Sequence, residues 1–146
     1  MMSADERRTQ LMALPFLNDL PKGLGRRYIA HLEDAGEHTQ LDDGVELFSE
    51  GDHNPDYGYV LLKGSITVKK SYADDSQASA PALLGEIKQF NPNSERTATV
   101  RASGTLEVLR FRWEDLNSKL EAALSEAERE LLRKALLDYA WGHVLS

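Results

Sequence analysis

No cysteine occurs anywhere in the sequence, which removes disulfides, thiol nucleophiles and thiolate metal sites together. No apolar run approaches the ~20 residues that a membrane-spanning helix needs. The opening decapeptide, MMSADERRTQ, carries acids with no apolar core behind it and is not expected to be a signal peptide. The histidines, His31, His38, His53 and His143, fall into neither an HxH nor an HExxH spacing, so the paired imidazoles of a metal-binding barrel are missing. A nucleophile elbow and a Walker-type phosphate loop are missing as well. Cations are in the minority: 17 Lys and Arg stand against 24 Asp and Glu, for a formal net charge of -7. Nucleic-acid affinity rests largely on neutralising phosphates, so no nucleic-acid partner is expected. An anionic ligand would need a local cationic pocket.

What remains is an ordinary soluble composition, 41% hydrophobic and 28% charged, over 146 residues. That length suits a single domain with a substantial core. The absences of thiols and of a span fit a cytoplasmic protein. Residues 5–35 read as helical, broken around LPFLNDLPKG, with a second helix over about 22–35 capped by Asn18 or Asp19. Leu24, Tyr28, Ile29 and Leu32 supply its apolar face.

From Gly36 to about residue 112 the pattern shortens to strands between turns. YGYVLLKGSITVKK reads as a hairpin turning at Lys63 and Gly64. SYADDSQASAPA reads as an exposed tip. ALLGEI, TATVRA and TLEVLRF supply further strand pattern. Helical periodicity returns over 113–123 and again from a capping box at Ser125 and Glu128 to about His143. Leu131, Leu132, Ala135, Leu136, Tyr139 and Val144 form its stripe. The expected fold is α+β: an antiparallel, jelly-roll-like β-roll of about eight strands, flanked by N-terminal helices and a C-terminal helix pair.

One stretch fits no core role: GEIKQFNPNSERTATV, residues 85–100. Gly85 can adopt backbone angles that other residues resist. A helical turn over 86–90 would offer free N–H groups to an anion. Arg96 supplies a planar fork suited to phosphate, and ionised Glu86 accepts from hydroxyls such as those of a sugar. A phosphorylated sugar would satisfy both grips, whereas a plain salt bridge between the two would be worth only ~0–1 kcal/mol.

These residues resemble the phosphate-binding cassette of the cyclic nucleotide-binding domain family, which opens Gly-Glu-(Leu/Ile) and closes Arg-(Ala/Ser/Thr)-Ala-x-Val. Gly85-Glu86-Ile87 and Arg96-Thr97-Ala98-Thr99-Val100 occupy the two ends. Gly44, Phe48, Glu50, Gly51 and Gly64 match supporting positions, and the resemblance runs over roughly residues 14–140. It implies a non-enzymatic sensor whose ligand is cyclic AMP or cyclic GMP, with no metal and no other cofactor. Glu86 would take the ribose 2′-hydroxyl. Arg96 would take the cyclic phosphate, with Thr97 and the backbone N–H groups around Ile87 and Ala98. In some members a threonine after the arginine also touches guanine, which keeps cyclic GMP in view. Leu132, Leu136 and Tyr139 are either core or a lid over the base. A protein partner or a homodimer would engage the C-terminal helix. Lys88 stands where the family usually has a small residue, so a nucleotide-free scaffold or interaction module of the same fold is the alternative.

Overall fold

In the computed structural model, residues 1–49, 57–71, 73–85 and 98–143 are described. Helix α1 (Ala4–Met12) starts from a capping box in which the Ser3 hydroxyl accepts from Glu6 N and the Glu6 carboxylate accepts from Ser3 N. A short 3-10 turn (Pro15–Asp19) leads to α2 (Lys22–Ala35). Pro21, not Asn18 or Asp19, occupies the N-cap of α2, with no side-chain cap. The acid and the amide are consumed inside the 3-10 turn, and the fixed φ of proline sets the entry to the helix instead. The C-terminal helices are α3 (Trp113–Ala123) and α4 (Glu126–His143). Ser125 and Glu128 form the expected reciprocal cap on α4.

Between the helix groups lies one antiparallel sheet. Its spine is a pair of 14-residue strands, β3 (Tyr57–Lys70) and β6 (Thr99–Arg112). The free edge of β6 takes β1 (Glu37–Leu41) and then β2 (Glu46–Phe48). The free edge of β3 takes β5 (Ala82–Leu84) and β4 (Ala73–Ser79). The sheet path runs β1-β6-β3-β4 and stays open among the described residues.

Among the described residues the sheet has six strands, and two breaks expected from the sequence are absent. Lys63 and Gly64 do not form a hairpin turn: β3 continues through them, with register shifts on either side of Lys63. TATVRA and TLEVLRF are likewise halves of β6, joined through Gly104. Gly64 and Gly104 have φ of 103° and 84°. A glycine in that region serves a bulge as readily as a tight turn, so the local pattern is the same for both. Most of the expected exposed tip is strand β4, paired with β3 along Ser65–Lys70.

Alternation along the strands divides the interior in two. Leu61, Ala82, Leu84, Val100, Leu106 and Val108 face the inside of the roll with Ile66, Val68 and Ala98. Val60, Leu62, Leu83, Leu109 and Phe111 face the other way, into a cluster to which α1, α2, α3 and α4 all contribute. Both sheet faces are therefore covered in this region, which is why Val60, Leu61 and Leu62 are all fully buried in succession. Arg8–Glu33, Lys119–Asp34 and Arg27–Glu128 ion pairs tie α1, α3 and α4 to α2. As exposed pairs they contribute little beyond register.

Candidate functional site

The cassette's ends are built into the roll. Leu84 pairs with Tyr59 of β3, and the next residue, Gly85, has φ of 91°. At the other end Ala98 is buried and leads into β6, where Thr99 pairs with Lys69 and Val100 with Val68. The two ends are thus held at opposite ends of the same strand. Leu84, Ala98 and Val100 are fully buried in the roll interior. Gly85 is buried as well, and its left-handed backbone turns the chain out of β5 at a conformation costing an ordinary residue roughly 1–2 kcal/mol. Glu86, Ile87, Lys88, Arg96 and Thr97 lie outside the described residues, as do Glu50, Gly51 and His53.

The proposed lid residues divide by position. Leu132 and Tyr139, 3% and 5% exposed, belong to the helical core cluster, with Leu136 packed at its border. Trp141 lies within α4 and Val144 beyond it, and their side chains are outside the described set. Tyr139 does more than fill space. Its ring meets Phe16 of the 3-10 turn edge-on at 5.7 Å. Its hydroxyl accepts from Leu83 N at 3.1 Å and donates to Leu83 O at 3.4 Å. Both backbone groups of Leu83 point away from β3, so a side chain of α4 occupies the outer edge of β5, where a further strand would otherwise bond. Leu83 lies two positions before Gly85. The helical stripe revealed Tyr139 in the sequence, but nothing local indicated the acceptor of its hydroxyl.

A second polar cluster was not anticipated. Glu107 of β6 is 4% exposed and accepts from Met2 N at 2.8 Å, with His38 Nε2 of β1 at 3.0 Å. The Met2 N–H above all, then the neighbouring positive charge and His38, hold its carboxyl below the usual value against the opposing effect of burial. This cluster staples the chain ahead of α1 to the sheet. Among the described residues no group of three or more His, Cys, Asp or Glu is arranged to hold a metal. No helix there is long and apolar enough to cross a membrane.

The described residues thus form an open antiparallel roll covered by helices, with Gly85 and Ala98 buried on either side of residues 86–97. The model of the cyclic nucleotide-binding domain matches residues 38–123, and the chain belongs to that family. It is 34% identical over 110 residues to the Pycsar effector protein RsmPycTIR of Rhodovulum sp., a match covering 73% of this chain and 40% of that protein. The matched stretch is thus less than half the length of this relative. In fold it is similar to the N-terminal domain of a transcriptional regulator from Streptomyces coelicolor, with a TM-score of 0.66, 23% identity and coverage of 91% and 93% of the two chains. It is similarly close to the sensor domain of the transcriptional regulator DNR from Pseudomonas aeruginosa, with a TM-score of 0.64, 17% identity and coverage of 93% and 91%.

Proposed function

We propose that this chain is a non-enzymatic sensor of a 3′,5′-cyclic nucleotide, with cyclic AMP and cyclic GMP as the leading ligands, and that occupancy is passed to α4 through β5. Glu86 takes the ribose hydroxyl and Arg96 the cyclic phosphate, supported by Thr97 and by N–H groups near Ile87 and Ala98. The family match includes the whole cassette within residues 38–123. The observation that carries the transmission is the double hydrogen bond from Tyr139 to Leu83. A ligand that pulls on Gly85 and Glu86 pulls on the end of a three-residue strand whose outer edge is bonded to α4. Any preference of the ligand for one position of β5 is then a preference for one position of α4, a population shift set by differential affinity.

Calorimetric titration with the four common 3′,5′-cyclic nucleotides tests the binding step. Arg96→Ala removes charge-assisted hydrogen bonds worth roughly 1.5–3 kcal/mol each. Losing two weakens binding on the order of a hundredfold or more. Hydrogen exchange over 126–143, with and without saturating nucleotide, tests the transmission step. No measurable heat from any of the four with the unaltered protein overturns the sensor role and leaves the nucleotide-free scaffold. Binding without any change in exchange along α4 retains the ligand and removes the transmission.

A further inference from the structure

Helix α2 carries its charges against its own dipole. No acid occupies its first turn and no cation its last, whereas anions are stabilising at helix N-termini and cations at C-termini. Lys22, Arg26 and Arg27 lie in its first two turns, and Glu33 and Asp34 lie near its end. Three of these charges are met by other helices of the chain: Arg27 by Glu128, Glu33 by Arg8 and Asp34 by Lys119. Lys22 and Arg26 meet no carboxylate among the described residues.

The face that carries Arg26 is uncovered. Leu24, Gly25, Tyr28, Ile29 and Leu32 are the buried residues of α2. At about 100° per residue, Ala30 falls at the apex of the opposite side, between Arg26 and Asp34. All three are exposed. Beside them the groove between α1 and α2 holds about 480 Å³ and is lined by Met12, Arg26, Ile29, Ala30 and the Arg8–Glu33 pair. Met12 is 41% exposed. Asp34 is 69% exposed and accepts from Lys119 at 2.7 Å through Oδ2, which leaves Oδ1 for another donor.

We propose that two copies of this chain associate through α2, antiparallel, about a two-fold axis at Ala30. In that register, residues equally far from Ala30 on either side face each other. Arg26 of one copy meets Asp34 of the second copy, and the symmetry makes the contact twice. A face with a cation on one side of its apex and an acid on the other is complementary to itself under a two-fold rotation. A face of one sign would instead call for a partner of the opposite sign. The antiparallel arrangement also lays the positive end of each helix beside the negative end of the other. Met12 of each copy borders the contact and adds apolar area to it. A dimer built on one helix face with exposed charges is weak and salt-sensitive.

Sedimentation equilibrium of the chain without nucleotide, up to about 1 mM protein, tests the proposal. The expected result is a reversible monomer–dimer equilibrium that weakens as salt rises. Arg26→Glu and Asp34→Lys each turn two attractive contacts into two repulsive ones. Each should raise the dimer dissociation constant by about tenfold or more. Both side chains are exposed, and circular dichroism verifies that the variants fold. An equimolar mixture of the two variants should recover the association, because in the mixed dimer every cation again faces an acid. A chain that stays monomeric at the highest concentration would overturn the proposal. So would a dimer indifferent to both reversals, which would place the interface elsewhere, or a mixture no more associated than the separate variants. The measurement contains no nucleotide, so its outcome is independent of whether the cassette binds one.

Discussion

Replacing Tyr139 with Phe isolates a single pair of hydrogen bonds. The ring remains, and with it the edge-on contact to Phe16 at 5.7 Å and 64°. What disappears is the hydroxyl that joins Leu83 N at 3.1 Å and Leu83 O at 3.4 Å. Leu83 is fully buried, so its N–H has no water to turn to, and an unmet buried donor costs about 1–3 kcal/mol. The longer contact to the carbonyl lies at the edge of hydrogen-bonding distance and adds little. Urea unfolding should therefore show a loss of about 1–3 kcal/mol with no change in m-value. For a domain of this size that lowers Tm by roughly 2–4 °C per kcal/mol. The amide of Leu83 should exchange faster, while that of Val60, its partner across the sheet, should not. Tyr139→Ala would lose the ring as well and should cost about 3–5 kcal/mol. A Tyr139→Phe protein within about 0.5 kcal/mol of the parent, the range of inconsequential substitutions, with unchanged exchange at Leu83 would refute the latch.

Three further outcomes follow from particular positions. A Cβ on Gly58 would sit 2.5 Å from Phe111 Cζ and 2.8 Å from Trp113 Cε2. Both rings are buried, so Gly58→Ala should destabilise by about 1–3 kcal/mol in denaturant titration. Gly85→Ala places a side chain at φ of 91°; it should cost roughly 1–2 kcal/mol and weaken nucleotide binding in the calorimeter. The Glu107 carboxyl is held below its unfolded value of 4.5, so its contribution is present above that pH and lost as pH falls through the folded value. Glu107→Gln should thus be less stable at pH 7, and the gap between variant and parent should narrow below pH 4.5 in parallel unfolding curves.

Much of the helical architecture could be read from local pattern. Ser125 and Glu128 mark the start of α4 because a capping box is a short-range device. Residues 113–123 emerge as a helix because Trp113, Leu116 and Leu120 repeat at helical spacing. The sheet was less legible, for a physical reason. A positive-φ glycine such as Gly64 or Gly104 satisfies a hairpin turn and a bulge equally, and only the partner strand decides between them. The motif singled out Gly85, Ala98 and Val100, which the structure buries in the roll, while Glu86, Ile87, Arg96 and Thr97 lie outside the described residues. The clustering of Glu107 with His38 and Met2 N, and of Tyr139 with Leu83, depends on pairs far apart in sequence. No local spacing encodes such pairs.

Strand β5 is where the two interiors meet. Ala82 and Leu84 point into the roll with Ala98 and Val100 from the far end of the cassette. Leu83 points into the helical cluster with Phe16, Tyr28 and Tyr139. Its inner edge is bonded to β3 through residues 59–61 and its outer edge to α4 through one hydroxyl. A strand of three residues so enclosed cannot slide without exposing apolar side chains in one cluster or the other. Packed interiors deform by switching between discrete arrangements rather than by stretching. A shift at Gly85 is therefore either absorbed before it reaches Leu83 or delivered whole to the helices. Hydrogen exchange at Leu83 distinguishes these responses, because only the second opens the bond to Tyr139.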